Sequence, residues 1–197
     1  MAAVGEGDVV FVPGAAGGAG SLAGQIAKCP GAARVIGSAG SPANAGYLVN
    51  ELGYDAAFDY HDGPAAQRLK EFAPEGISVF FDIVGGEQYD AALQAARPGA
   101  RFALCGSLPS RLGDASERLP QPDRTAAEAK GIELLPFSCP HVPEQIAAWR
   151  EHFRTWLSQG RFVCPQTVLE GPIEDVPQAF LSLLQGSCRG KVSVRLP

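Results

Sequence analysis

Short runs of apolar and β-branched residues alternate along this chain with longer stretches in which small or apolar residues recur every three or four positions. The runs are DVVFV (8–12), ARVIGS (33–38), DAAFDY (55–60), ISVFFDIV (77–84), ARFALCG (100–106) and IELLPFS (132–138). Helix-period stretches lie between the first five, at about 18–29, 42–52, 63–73 and 86–96. Strand and helix in strict alternation form βαβ units, which predict a parallel sheet. VFFDIV is apolar at consecutive positions, as a strand covered on both faces must be. The expected fold is α/β: a Rossmann-type, doubly wound, parallel six-stranded sheet.

The rhythm stops at 107–128, a polar stretch with three prolines and no apolar period. It reads as a long loop and a possible lid. A helix is expected at about 143–159, where Ile146, Trp149, Phe153, Trp156 and Leu157 fall at helical spacing and the tryptophans serve as core or interface anchors. The remainder, from Gln166, reads strand, turn, helix, strand, with Gly186 and Gly190 bounding the last helix and strand. We divide the chain into a Rossmann domain over 1–140 and, over 141–197, a C-terminal helix-strand-helix-strand appendage packed on it.

Chemistry concentrates after the first run. In GAAGGAG (14–20), Ala15, Gly17 and Gly20 form an A-x-G-x-x-G pattern. Ala15 is read as the tight turn, Gly17 as the open approach to a pyrophosphate, and Gly20 as the close contact between helix and strand. The first helical turn, with Gly18 and Ala19, would turn unpaired N–H groups and the positive helix end toward an anion. After the second run stands GSAGS (37–41), with no carboxylate to hold a ribose hydroxyl. Ser38 and Ser41 leave room for a 2′-phosphate, which favours NADP(H) over NAD(H). No arginine or lysine follows within several residues, so the phosphate lacks a local counter-charge.

Composition narrows the picture further. The chain has 197 residues, 46% hydrophobic, and a formal charge of −5 with lysine and arginine dispersed, which argues against a nucleic-acid or anionic-membrane surface. No apolar run reaches the length of a bilayer span, and MAAVGEGD lacks the basic and apolar regions of a signal peptide, so a cytoplasmic protein is expected. Cys29, Cys105, Cys139, Cys164 and Cys188 stand singly and the histidines, His141 and His152 included, lie far from any acid-rich cluster, so no metal site is assigned. The expected partner is a small-molecule substrate or another protein.

The segments GEGDVVFVPGAAGGAGSLAGQIAK, RVIGSAGS, LGYDAAFDYHDG, VFFDIVGGEQYDAAL, GARFALCGS and LLQGSCRGKVSVRLP together resemble the zinc-independent medium-chain reductases, in the alkenal, prostaglandin and curcumin reductase branch. The resemblance runs over nearly the whole chain. It implies an NADP(H) cofactor, hydride delivery to the β-carbon of an α,β-unsaturated carbonyl, and commonly a homodimer. It places Ala15, Gly17 and Gly20 in the pyrophosphate loop and Ser38, Ser41 and Tyr60 at the adenosine phosphate. Val84 and Gly85 match the turn after strand four, and Cys105 and Gly106 the end of strand five beside the nicotinamide.

The departures are specific. Asn44 stands where the family usually has a phosphate-binding lysine, Ile83 where it has the asparagine of FDNVGG, and Cys188 where it has the asparagine of GxNxGK. The active-site tyrosine aligns with about Arg111. The resemblance also implies a GroES-like substrate domain ahead of the Rossmann strand, a domain this sequence lacks, so that a separate substrate-domain chain is an alternative partner to a second copy. Tyr60, Asp82 and Cys105 remain candidate catalytic groups, with Tyr89 the other phenol expected near the groove. Two further readings stay open: a redox-silent cyclase or isomerase using Asp82, His61, Glu87 or Cys105, and a non-catalytic nucleotide-binding module. The strand 132–138 would be an uncovered edge, which a second copy could pair.

Overall fold

The computed structural model describes residues 2–106, 123–136 and 143–197. The first unit runs β1 (Val9–Val12), α1 (Gly18–Lys28), β2 (Arg34–Ala39), α2 (Pro42–Asn50), β3 (Ala56–Asp59), α3 (Ala65–Phe72), β4 (Ile77–Asp82), α4 (Glu87–Ala95), β5 (Ala96–Leu104), α5 (Arg124–Ala129) and β6 (Glu133–Pro136). All six strands are parallel, in the order β3-β2-β1-β4-β5-β6. β1 sits centrally, so the turn that leaves it opens at the point where the strand order reverses.

Alternation along the strands explains the two layers. Phe11 of β1 joins Ile36, Phe58, Leu69, Phe80, Tyr89 and Phe102 in one buried cluster, on the α3 and α4 face. Its neighbours Val10 and Val12 join Val35, Leu48, Tyr54 and Val79 in a second, on the α1 and α2 face. Successive side chains of a strand point to opposite faces, so both must be apolar when helices cover each side.

Asp8, just ahead of β1, is an N-terminal fastener of this sheet. Its carboxylate accepts the Ser78 hydroxyl at 2.7 Å and the Arg101 guanidinium at 2.6 Å, tying β1 to β4 and β5. Burial pushes its pKa up, but the Ser78 and Arg101 hydrogen bonds outweigh burial and hold it below the usual carboxylate range.

Two expectations are revised. The stretch given to a loop at 107–128 ends in helix: Asp123 caps α5 by accepting the Ala126 N–H at 2.9 Å, and only 107–122 lie outside the described residues. β5 begins at Ala96 rather than at Ala100, with an irregularity in its pairing to β4 between Ile77 and Val79.

The C-terminal unit comprises α6 (Pro143–Ser158), β7 (Gln166–Glu170), a single 3-10 turn (Ile173–Asp175), α7 (Val176–Leu184) and β8 (Lys191–Arg195). β7 and β8 form a separate two-stranded parallel sheet. The unit is joined to α1 by polar contacts. Gln25 donates to the Val163 carbonyl at 3.0 Å and accepts the Val163 N–H at 2.8 Å, acting as a strand-like partner in side-chain form. Apolar burial here is thin. Trp149 is 43% exposed and meets Phe153 and Trp156 on its own helix, so it is no anchor of the core. Ile173, Phe180 and Leu181 are likewise exposed.

Candidate functional site

The cleft lies where β1 passes into α1. Gly14 takes φ +59°, a left-handed conformation that favours glycine, whereas Ala15 does not. The turn assigned from sequence to Ala15 is therefore made by the residue before it, which is why alanine is tolerated at 15. Ala15 is fully buried, its N–H donating to the Ser38 carbonyl at 2.9 Å. Gly20 has the role its position implies: a Cβ there would stand 2.6 Å from both the Ala15 Cα and the Gly14 carbonyl oxygen. Gly17 caps α1 without a side chain, and Gly17, Gly18 and Ala19 line the cleft. The first-turn N–H groups of a helix have no intrahelical acceptors, so this floor is suited to an anion.

The cleft encloses about 660 Å³ and passes from this turn across the ends of β2, β3 and β4 to the residues that follow α7. No aspartate, glutamate, lysine or arginine lines it among the described residues. Ser38, Asn44, Tyr60, His61, Gln88 and Gln185 supply its polar side chains, and Ile83, Val84, Leu183, Leu184 and Cys188 much of its apolar wall.

The serines differ from the simple picture of two open hydroxyls. Ser38 is fully buried and donates to Gln88 Oε1 at 2.9 Å. Ser41 caps α2, its hydroxyl accepting the Asn44 N–H at 3.2 Å. Tyr60 is 45% exposed, lies beside Gly40, and packs its ring on His61 with centroids 4.1 Å apart. His61 Nδ1 is 2.9 Å from the buried Asp59 carboxylate, which also accepts the His61 N–H.

Val84 lines the cleft; Gly85, Cys105 and Gly106 do not. Asp82 Oδ1 accepts the N–H groups of Val84 at 3.1 Å and Gly85 at 2.7 Å, shaping the turn from β4 into α4. Burial raises its pKa, opposed by those two N–H groups. Its contacts are those of a loop brace. Cys105 is half-buried, and its N–H donates to the Asp82 carbonyl at 2.8 Å. Tyr89, expected near the groove, is buried in the core with its ring edge-on to Phe80 and Phe102. Glu87 is an exposed first-turn residue of α4. No group of three or more His, Cys, Asp or Glu side chains able to hold a metal occurs among the described residues.

Two residues that shape the site escaped the sequence reading. Tyr54 donates to the Gly20 carbonyl at 2.7 Å from a fully buried position, and burial lifts its phenol well above the ordinary range. Arg189, which follows α7, donates from Nε to Asn44 Oδ1 at 2.9 Å and from Nη2 to the Ala43 carbonyl at 3.3 Å. Both depend on contacts distant in sequence. The spacing of Gly24 and Gly37 was the one local hint for Tyr54, since a Cβ at either position would press on its ring.

The strand order, the glycine turn out of the central strand and a cleft at the carboxyl ends of the strands define a Rossmann-type α/β domain. Residues 18–147 match the zinc-binding dehydrogenase family, to which this chain belongs. The chain is 31% identical to the NADPH-dependent curcumin reductase of Escherichia coli, over 97% of this chain and 56% of that protein. It is 35% identical to prostaglandin reductase 1 of Bos taurus, over 96% of this chain and 57% of that protein. The structure of CurA from Vibrio vulnificus in complex with NADPH superposes with a TM-score of 0.90 at 30% identity, covering all of this chain and 59% of that one. The chain thus spans somewhat more than half the length of these relatives.

Proposed function

We propose that this chain is the NADP(H)-binding part of a reductase that saturates the double bond of an α,β-unsaturated carbonyl compound. The observation that carries the reading is the cleft itself: a glycine turn that presents the start of α1, continuous with a wall free of carboxylates beside GSAGS. A carboxylate at that wall would repel a 2′-phosphate, and none lines it among the described residues. The named relatives that are NADPH-dependent or prostaglandin reductases support the same choice of cofactor and reaction class.

The residues fit the cofactor in a definite order. The start of α1, at Gly18 and Ala19, would hold the pyrophosphate; Ser41, Asn44 and Tyr60 the adenosine end; Ile83 and Val84 the apolar side nearer the nicotinamide. When bound, the cofactor supplies a hydride. The chain's own contribution is to bind and orient it: Gly20 keeps the loop tight against α1, Tyr54 pins the helix through the Gly20 carbonyl, and Asp82 fixes the turn that carries Val84. The site for the carbonyl compound would be completed either by a substrate domain or by a second copy of this chain.

The reading is tested with NADPH deuterated at C4 and a panel of alkenals and enones. Reduced product carrying deuterium at the β-carbon is expected. Product labelled at the carbonyl carbon would contradict it.

A further inference from the structure

The cleft shows an electrostatic gap and a candidate to fill it. Neither lysine nor arginine lines the cleft among the described residues, and at the start of α2 its wall presents the neutral Asn44. Folding brings a guanidinium there from 145 residues away. Arg189 Nε donates to Asn44 Oδ1 at 2.9 Å, its Nη2 reaches the Ala43 carbonyl at 3.3 Å, and its guanidinium lies 4.3 Å from the centre of the Tyr47 ring. The same Asn44 donates from Nδ2 to the Gly186 carbonyl at 3.2 Å. The side chain is half-buried, and among the described residues no acceptor holds Nη1.

A fastening of α2 does not by itself need a charged donor. Asn44 already reaches the segment after α7 through Gly186, and a neutral donor would serve its Oδ1. A guanidinium held by Nε and Nη2, stacked on an aromatic ring, is instead an oriented cation with donors to spare, the form of side chain that recognises phosphate. It is hydrogen-bonded to Asn44, a residue of the cleft wall, and to Ala43 in the first turn of α2, whose dipole adds to the same positive potential.

We propose that Arg189 is the counter-charge for the 2′-phosphate and selects the phosphorylated over the unphosphorylated adenine dinucleotide, with Asn44 as the relay that positions it. This rests on the cofactor reading above. The consequence is that cofactor choice is set from the segment joining α7 to β8, which the sequence around GSAGS does not reveal.

The experiment titrates the wild-type chain, Arg189→Leu and Arg189→Lys with NADPH, NADH, 2′,5′-ADP and 5′-AMP. Arg189→Leu is expected to weaken NADPH and 2′,5′-ADP at least tenfold while NADH and 5′-AMP change less than twofold; Arg189→Lys keeps most of the preference. In the wild type, the NADPH-to-NADH affinity ratio should fall as salt rises, because the phosphate contact is screened, and this measurement needs no variant to fold. Equal losses for all four ligands would assign Arg189 to fastening α2 and overturn the proposal, as would a salt-independent ratio. Wild-type protein that binds NADPH and NADH equally overturns the role of Arg189 alone. Wild-type protein that binds no dinucleotide overturns the cofactor reading as well.

Discussion

Gly24→Val lowers the thermal midpoint by about 5–10 °C, an overpacking cost of roughly 2–3 kcal/mol in a chain of this size. Gly24 sits in α1 against the ring of Tyr54, and even a Cβ would overlap the phenol. On helix propensity alone, replacing a helical glycine with alanine should stabilise by up to about 1 kcal/mol. The ring decides the sign, because it has nowhere to go. Tyr54 is 3% exposed, donates to the Gly20 carbonyl, and is pressed from the sheet side by Gly37, where a Cβ would lie 2.9 Å from the ring. Two glycines distant in sequence thus form the slot for one tyrosine. The check is a double-mutant cycle. Tyr54→Ala alone costs about 3–5 kcal/mol, and in that background Gly24→Val should become neutral or favourable as the methyl groups enter the vacated space. Additivity within about 0.5 kcal/mol would show that the slot does not exist.

Gly20→Val weakens NADPH binding by about 30- to 100-fold, equivalent to roughly 2–3 kcal/mol. The added Cβ meets backbone at 2.6 Å on two atoms, Ala15 Cα and the Gly14 oxygen, so no side-chain rotation relieves it. The loop and α1 must separate, and the donors at Gly18 and Ala19 move with them. NADH should lose affinity by a similar factor, because the two cofactors share the pyrophosphate. Gly46→Ala is the matched control: it lies in α2 with only the Asn50 amide within 4 Å, at 3.9 Å, and should raise stability by about 0.5–1 kcal/mol without changing affinity. A Gly20→Val protein that binds NADPH as tightly as the wild type would remove the glycine loop from the binding account.

The sheet was legible because it rests on local patterns. Apolar runs separated by helix-period segments gave six strands and the four helices between the first five, since a doubly covered parallel strand has little alternative but to be apolar throughout. α5 was missed because its six residues, RTAAEA, follow a proline-rich polar stretch and their capping aspartate reads equally well as a loop residue. The close packing at Gly20 was legible, but the turn was placed one residue late, as φ at Gly14 and Ala15 cannot be told apart from a run of small residues.

Side-chain destinations were less legible. Tyr89 faces the core because α4 turns its inner face to Phe80 and Phe102, a matter of helix phase that no motif marks. Ser38 is spent on Gln88, fifty residues away, and Arg189 reaches Asn44 only after the chain has closed past α7. Contacts of this kind are properties of the tertiary fold, so a counter-charge absent from the neighbouring sequence was present in space.

The most direct test of the central claim is calorimetric titration of the purified chain with NADPH and NADH. The account predicts one site per chain with micromolar affinity for NADPH and at least tenfold weaker affinity for NADH. Absence of heat with either nucleotide, or NADH bound as tightly as NADPH, would contradict it.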